Sequence, residues 1–329
     1  MTRSAPDGAL ATCVLPAAAR LGECPLWSPD EARLYWVDID GRAVHRFDPA
    51  TGLDEQWPTP GRPASLALTP TAGRLLVAVE RRLGFLDWGS GSWLDWVVLE
   101  PDDDGAAADG AATTGRRGAD AGSPAGGNRL NDGRCDPAGR FWVGSMFDPS
   151  SARRATGVLH RVERDGTAVA VRSGIGVSNG LAFAPDGRTM YFADTHRDVV
   201  WASDYDVDAG EASNERVFLD FGPLPGRPDG ACVDQDGCYW IACVFGWAVL
   251  RVTPSGAIDR QVAVPVEKPT MPAFGGDDLS TLFITTIGGG GSHAIDPTQP
   301  EAGGLFAIET GIRGLAEPRF EGGPAAVAT

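Results

Sequence analysis

Short apolar runs recur along the chain, and six of them are rich in aromatic or β-branched residues. They cover residues 34–37, 75–78, 141–144, 190–193, 239–242 and 282–285. Most of them follow a segment rich in Asp, Pro and Gly, such as APDGR or DPAGR. Strands that are bounded by turns at this density are typical of an all-β protein.

A second apolar run follows each of the first ones, so every unit contains at least two predicted strands. The matching glycines Gly133, Gly180 and Gly230 are separated by 47 and then 50 residues. Units of about 40–50 residues built from strands and turns indicate the blades of a propeller. We therefore predict a single domain over residues 1–329, a six-bladed β-propeller, whose last blade is completed by an early strand around residues 13–15.

The segment 101–127 interrupts this repeat. It is rich in Gly, Ala and Asp and has no apolar periodicity, which predicts a flexible inserted loop. Because it directly precedes the polar residues 128–131, it is either a lid over a site or a tolerated surface insertion.

The charge balance excludes several classes of partner. The 329 residues include 28 Lys and Arg against 44 Asp and Glu, a net charge of −16. Nucleic acids and anionic membranes are poor partners for such a chain, because phosphate binding needs an excess of cationic side chains. No apolar run approaches the roughly 18–20 residues that span a bilayer, and the N-terminus lacks the continuous apolar stretch of a secretory signal. We expect a cytoplasmic protein.

Cysteine and histidine spacing also narrows the chemistry. The six cysteines form no C-x-x-C pair and lie mostly in strand-like apolar runs, so we expect small buried hydrophobes with free thiols. Neither H-E-x-x-H nor G-x-S-x-G is present, which argues against a zinc peptidase and a serine hydrolase elbow. His196 is expected in a loop at the channel mouth, where it could contact a ligand.

Aligning the repeats brings polar residues to one point of four of the six units, near the start of the predicted inner strand. These residues are Glu23, Asp132, Asn179 and Asp229, with Ala64 and approximately Thr270 in the other two units. Inner strands ring a central channel, so their starts converge on one mouth. Crowded carboxylates need protonation or a cation, and a hard divalent ion takes carboxylate and amide oxygens. Asn-Gly and Asp-Gly are also common turn dipeptides, but their recurrence at one repeat position predicts a metal site.

The chain resembles the senescence-marker/gluconolactonase family, which includes regucalcin and bacterial sugar lactonases. The matching motifs are GECPLW, NRLNDGRCDPAGRFWVGSM, SNGLAFAPDGRTMYFAD, RPDGACVDQDGCYWIAC and QPEAGGLFAI. The resemblance covers nearly the whole chain apart from residues 101–127 and the extreme termini. It implies a six-bladed propeller that binds one divalent metal ion through Glu23, Asn179 and Asp229, with Arg129 and Asn131 contacting the substrate.

The resemblance leaves two points of specificity open. Some relatives use a glutamate shortly after a G-T-M stretch, but this chain reads GSMFDPS, so that Pro149 takes the matching place and Asp148 is its neighbour. The oxygen ligands favour calcium or magnesium, while the family also admits zinc, manganese and ferrous iron. The sugar preference, the metal and the oligomeric state are therefore not determined at this stage.

These residues predict metal-dependent hydrolysis of a sugar (aldono-) lactone to the aldonic acid. A metal-activated water would attack the lactone carbonyl, with Asp229 as both ligand and general base. A water shared with Asp132 or Asp194 is an alternative. Arg129 and Asn131 would bind the sugar hydroxyls. Two other functions stay open: hydrolysis of organophosphates or aryl esters on the same scaffold, and a non-catalytic propeller that only binds a divalent metal.

Overall fold

Six four-stranded antiparallel sheets make up the fold. The computed structural model describes residues 9–100, 127–289 and 293–324. Five blades use four consecutive strands each, because a strand–turn–strand repeat pairs sequential neighbours. The prediction of an all-β, six-bladed propeller is confirmed.

The strands of the first three blades are as follows. Blade 1 contains β2 (Gly22–Ser28), β3 (Arg33–Asp38), β4 (Ala43–Asp48) and β5 (Leu53–Pro58). Blade 2 contains β6 (Pro63–Leu68), β7 (Arg74–Val79), β8 (Arg82–Asp87) and β9 (Ser92–Val98). Blade 3 contains β10 (Gly127–Cys135), β11 (Phe141–Asp148), β12 (Gly157–Val162) and β13 (Ala168–Ile175), with a short 3₁₀-helix, η1 (Ser150–Ala152), between β11 and β12.

The other three blades complete the ring. Blade 4 contains β14 (Ser178–Phe183), β15 (Thr189–Asp194), β16 (Val199–Asp206) and β17 (Glu211–Asp220). Blade 5 contains β18 (Arg227–Val233), β19 (Tyr239–Val244), β20 (Ala248–Val252) and β21 (Ile258–Ala263). Blade 6 contains β22 (Pro269–Gly275), β23 (Thr281–Thr286), β24 (Leu305–Glu309) and β1 (Thr12–Leu15).

Blade 6 joins the two ends of the described chain. β1 pairs antiparallel with β24, with Thr12 opposite Ala307 and Cys13 opposite Phe306. This is the closing strand that the sequence predicts around residues 13–15. Pairing the first strand with the last closes the ring, so that neighbouring blades pack all the way round it.

The burial of the strands follows their position in each blade. The innermost strands β6, β14 and β22 are buried along their whole length, whereas the outermost strand β5 alternates between exposed and half-buried positions. Apolar side chains of adjacent blades pack between the sheets, including the fully buried Trp142 and Trp240. This packing holds the inner strands in a fixed ring around the central channel.

The channel is nearly filled at one level by the segment that follows β24. Glu317 in that segment pairs with Arg134 of β10 at 2.7 Å, and the same guanidinium donates to the carbonyl of Ala231 at 2.7 Å. Only a small void of about 10 Å³ remains around Arg134 and Glu317. A site large enough for a small molecule is therefore found elsewhere along the channel.

The cysteine prediction is confirmed and the loop prediction is not tested. All six cysteines are free thiols, and five are buried. Residues 101–126 of the predicted loop lie outside the described residues, while Gly127 already belongs to β10. No helix in the described ranges is long and apolar enough to cross a membrane.

Candidate active site

A cavity of about 450 Å³ lies at one mouth of the central channel. This volume falls in the range of roughly 300–1,000 Å³ that is usual for small-molecule sites. The five residues singled out by the resemblance all line it: Glu23, Arg129, Asn131, Asn179 and Asp229. They come from the innermost strands of four different blades, β2, β10, β14 and β18.

Each of these four inner strands has an irregular register beside its site residue. The pairing shifts between Glu23 and Leu26 in β2, and between Asn179 and Ala182 in β14. In β18 the shift falls between Pro228 and Ala231, and therefore includes Asp229. A bulge bends the strand and re-aims its side chains, which lets polar side chains leave the blade core for the cavity.

The backbone next to Asn179 is held by a buried tyrosine. Gly180 has a φ of 61°, and a Cβ at this position would lie 2.8 Å from that of Ala193. The hydroxyl of Tyr239 donates a 2.7 Å hydrogen bond to the carbonyl of Gly180. The Asn-Gly dipeptide therefore lies not in a turn but at the register shift inside β14, where the positive φ of Gly180 helps to position the Asn179 side chain.

The carboxyl groups at the site disfavour one another's ionisation. Burial, followed by the charge of Asp132, raises the pKa of Glu23 to about 8. Burial also raises the pKa of Asp229 well above its usual range, and the charges of Glu23 and Asp132 add to this rise. Burial raises the pKa of Asp132 to about 6. Three carboxyl groups close enough to repel are the electrostatic setting that a bound cation relieves.

The orientation of the Asn179 amide suits an oxygen donor. Its Nδ2 donates to Oγ1 of Thr195 at 2.8 Å, and that hydroxyl donates to the carbonyl of Pro228 at 2.8 Å. Asn179 lines the cavity, and its Oδ1 accepts one hydrogen bond, from Nδ2 of Asn131. Carboxylates and an amide oxygen are the donors that hard divalent cations prefer, so Glu23, Asn179 and Asp229 fit such an ion. Because one of these three donors is an amide, the set does not count as a cluster of three acidic, histidine or cysteine side chains. No cluster of three or more His, Cys, Asp or Glu side chains that could hold a metal occurs in the described part of the chain.

Arg129 and Asn131 form a linked pair on β10. Nη1 of Arg129 donates to Oδ1 of Asn131 at 2.9 Å and to the carbonyl of Leu130 at 3.0 Å. Asn131 Nδ2 also donates to the carbonyl of Ser178 at 2.9 Å. The Nε of Arg129 is buried and has no hydrogen-bond partner among the described residues. A buried donor without a partner is unfavourable, so the hydrogen bonding of Arg129 is incomplete in the described part of the chain.

The structure separates Asp132 from the other aligned residues. Asp132 does not line the cavity; its Oδ2 accepts the backbone N–H of Leu181 at 2.9 Å, and its Oδ1 is buried without a partner in the described ranges. The expectation that it opens on the same mouth is therefore wrong, because the register shift in β10 lies between Leu130 and Gly133 and leaves Asn131 facing the cavity. The other two units have Ala64 and Thr270 at the aligned position. The hydroxyl of Thr270 donates to the carbonyl of Gly22 at 2.6 Å and so links blades 6 and 1.

Asp194 has a structural role at the turn after β15. Its two carboxylate oxygens accept the backbone N–H groups of Gly176, Val177 and His196 at 2.8–3.0 Å. The carboxylate also lies 3.4 Å from Nε of Arg197. With these bonds made, Asp194 is poorly suited to take a proton from water.

Asp148 pairs with a residue of the neighbouring blade and does not line the cavity. Its Oδ2 accepts a 2.9 Å hydrogen bond from Nη1 of Arg62, a guanidinium that also binds Glu80. Asp148 is not among the residues that line the cavity, whereas Ser150 and Ser151 of η1 are. Hydroxyl groups therefore occupy part of the wall close to the departure from the family motif.

The cavity wall contains other titratable residues that the repeat alignment does not select. These are Arg153, His196, Arg227, Lys268 and His293. The sequence predicts His196 at the channel mouth, and Arg227 begins the motif RPDG, but Arg153, Lys268 and His293 lie in loops outside the repeated positions. Burial and the charge of Arg153 lower the pKa of His196, and burial and Lys268 lower the pKa of His293.

Comparison with known proteins gives a consistent picture. The family model for the SMP-30/gluconolactonase/LRE-like region matches residues 21–288. A 6-deoxy-6-sulfogluconolactonase of Pseudomonas putida is 36% identical over 94% of this chain and 98% of its own length. A pentonolactonase of Haloferax volcanii is 35% identical over 94% and 98%, and an L-arabinolactonase of Azospirillum brasilense is 34% identical over 95% and 96%. The crystal structure of a calcium-binding protein, regucalcin, from Agrobacterium tumefaciens has a TM-score of 0.83 at 26% identity, covering 97% of this chain and 100% of that one.

Proposed function

The chain belongs to the SMP-30/gluconolactonase/LRE-like family, and we propose that it hydrolyses a sugar lactone to the aldonic acid with the help of one divalent metal ion. The observation that carries this proposal is the convergence of Glu23, Asn179 and Asp229 on one cavity beside Arg129 and Asn131. The enzyme class is a hydrolase that acts on lactone esters, in agreement with the relatives named as lactonases.

In this proposal Glu23, Asn179 and Asp229 hold the metal ion. The raised pKa values of Glu23 and Asp229 support the assignment, because a divalent charge offsets the repulsion that raises them. When bound, such an ion lowers the pKa of water and polarises a carbonyl group. Calcium and magnesium match the oxygen donors best, and zinc, manganese and ferrous iron are the other candidates.

Asp229 is the proposed general base. Its carboxylate takes a proton from the attacking water as the new bond to the lactone carbonyl carbon forms. The ring C–O bond then breaks, and the proton passes to the alkoxide that leaves, so that the product carries a new hydroxyl group and a carboxylic acid, which releases its proton to solvent. A bound divalent ion would keep the Asp229 carboxyl group ionised near neutral pH, and the ionised form is the one that can accept a proton.

The other two acids considered for this step are less suitable. Asp132 is separated from the cavity and bonded to the N–H of Leu181. Asp194 is occupied by three backbone N–H groups. Asp229 lines the cavity, which gives it access to substrate and water.

Arg129 and Asn131 are the proposed substrate-binding residues. Arg129 lines the cavity, and a guanidinium can donate to a ring or hydroxyl oxygen of a sugar. The bond from Arg129 to Asn131 fixes both side chains before substrate arrives, which reduces the entropy lost on binding. Such donors suit a polyol better than an apolar ester.

The variant Asp229→Ala tests this proposal. We expect it to lose both the tight binding of a divalent ion and the hydrolysis of aldonolactones, while circular dichroism still reports a folded β-protein. Asp204→Ala, an exposed aspartate on blade 4, serves as the matched control and should keep both properties. A native rate in Asp229→Ala would refute the assignment, and a faster turnover of aryl esters or organophosphates than of aldonolactones by the native protein would favour the alternative hydrolase.

A further inference from the structure

The cavity is rich in positive charge although the chain is acidic overall. Its described walls contain four permanent cations, Arg129, Arg153, Arg227 and Lys268. Glu23 and Asp229 are the only acidic residues among the described lining residues, and the proposed function assigns both to the metal ion. The whole chain carries a net charge of −16, so this concentration of cations is a local feature.

Three of these cations come from separate segments of the chain. Arg153 follows η1 in blade 3, Arg227 opens β18 in blade 5, and Lys268 directly precedes β22 in blade 6. Like charges that converge on one cavity repel one another. Their convergence is unfavourable for folding unless a ligand compensates it.

These cations are weakly paired within the protein. Arg153 donates to the backbone carbonyl of His196 at 3.0 Å, and no carboxylate among the described residues forms an ion pair with it. Nε of Arg227 lies 3.6 Å from Oδ1 of Asp198, beyond normal hydrogen-bond distance. Nζ of Lys268 lies 3.7 Å from Oε2 of Glu267. All three therefore keep donors for an anion.

The two histidines in the same wall respond to this field. Arg153 and Arg227 both act to lower the pKa of His196, and Lys268 lowers that of His293, in each case after burial. Asp194 and Asp198 oppose the shift at His196, and Asp40 opposes it at His293, yet both shifts remain downward. Arg153 and Arg227 are therefore close enough to His196, and Lys268 close enough to His293, to act on the histidine charge.

We infer that the physiological substrate is a sugar lactone that carries an anionic substituent in addition to its ester, and that Arg153, Arg227 and Lys268 bind this group. The inference rests on the proposed function and specifies its substrate class. A carboxylate, a phosphate and a sulfonate share the required chemistry, since each presents several oxygens to cationic donors. A neutral lactone would offer these three cations no charge beyond the weak partners that they already have in the protein.

A matched set of four lactones, one neutral and three charged, tests the inference. D-glucono-1,5-lactone is the neutral probe, and the same lactone with a phosphate, a sulfonate or a carboxylate at carbon 6 provides three charged ones. With metal restored, we expect kcat/KM to be about tenfold or more higher for the charged lactones at low ionic strength, because a cationic cleft raises the association rate of anions. This preference should decrease when salt is raised to about 0.5 M, where screening is strong. The order of the three charged lactones identifies the preferred group.

Single substitutions locate the effect. Arg153→Gln, Arg227→Gln and Lys268→Gln should each lower the ratio of charged to neutral kcat/KM by about three- to fivefold, the size expected for a partly exposed ion pair. Arg216→Gln is the matched control. Arg216 lies on β17, forms a half-exposed ion pair with Asp204 of β16 and does not line the cavity. Removing its charge should leave the ratio of charged to neutral kcat/KM unchanged.

The possible results separate the inference from the proposed function. Hydrolysis of neutral and charged lactones at equal rates in the native protein would overturn the inference and leave the proposed function standing. Inhibition by aldonate that weakens in the variants, with no change in the substrate ratio, would mean that the cations serve the product carboxylate, and would also overturn it. If no lactone is hydrolysed with any metal, the proposed function itself fails.

Discussion

Asn131 Nδ2 donates a 3.1 Å hydrogen bond to Oδ1 of Asn179. A candidate substrate-binding residue is thus hydrogen-bonded directly to a candidate metal ligand. Arg129 joins the same hydrogen-bond network by donating to Asn131. Because ligand orientation depends on such outer contacts, metal affinity and substrate binding are expected to change together when this pair is altered.

Asn131→Ala should weaken the binding of a divalent ion by roughly 10- to 100-fold, the usual effect of removing a group that orients a ligand. It should also raise KM for the lactone, since Arg129 loses one of the two acceptors that hold its guanidinium. Isothermal titration calorimetry of a divalent ion into the metal-free protein measures the change in metal affinity. Asn128→Ala, on the same strand but bonded to Thr156, is the control. Unchanged metal affinity in Asn131→Ala would show that Asn179 needs no such support.

Glu23→Gln should weaken the pH dependence of stability in the metal-free protein. A raised pKa means that the folded state binds the proton more tightly than the unfolded state, so the free energy of unfolding falls as pH rises from the ordinary value near 4.5 through about 8. The glutamine variant has no ionisable group at this position, so it is free of the loss of unfolding free energy that Glu23 causes. It should melt at a higher temperature than the native protein at pH 8, but not at pH 4.

Added metal should then stabilise the native protein at pH 8 and leave Glu23→Gln nearly unchanged. Differential scanning calorimetry at both pH values, with and without the ion, measures all four states. Glu55→Gln, an exposed glutamate paired with Arg46, controls for the substitution. A native protein that gains stability between pH 5 and 8 without metal would contradict the proposed repulsion.

Asp132→Asn distinguishes between the two buried acids as the base. The amide oxygen still accepts the N–H of Leu181, so the fold should be kept, while the lost charge should weaken metal binding severalfold. At saturating metal the variant should hydrolyse lactone at close to the native rate, because Asp229 is intact. A loss of more than about 100-fold in kcat at saturating metal would make Asp132 the base.

The repeat predicts the fold and aligns Glu23, Asn179 and Asp229, because propeller blades repeat in sequence as well as in space. Arg129 and Asn131 come from the family resemblance, and all five residues line the one cavity. The closing strand at residues 12–15 is also predicted, since a ring of six blades needs a partner for β24. The misplacement of Asp132 arises from a register shift, which changes the direction of a side chain without changing the sequence pattern.

The cationic wall could not be predicted in the same way. Arg153 and Lys268 lie in connections between strands, whose paths differ from blade to blade. The pairing of Asp148 with Arg62, 86 residues away in sequence, depends on how blades 2 and 3 pack together. Such contacts follow from the closed ring and not from any local pattern.

Tyr239→Phe should destabilise the protein by about 1–3 kcal/mol, because the buried carbonyl of Gly180 loses its donor. Urea unfolding measures this loss. Tyr191→Phe is the control, as its ring lies 4.8 Å from that of Tyr239 and its substitution keeps the bond to Gly180. Equal stability losses in the two variants would show that the Gly180 bond is not the cause.

The most direct measurement of the central claim is acid release from sugar lactones by chelator-treated protein, with calcium, magnesium, zinc, manganese or ferrous iron restored one at a time. Metal coordination by Glu23, Asn179 and Asp229 requires that the chelated protein be inactive and that at least one ion restore hydrolysis well above the spontaneous rate. Full activity after complete chelation, or no hydrolysis with any of the five ions, would contradict it.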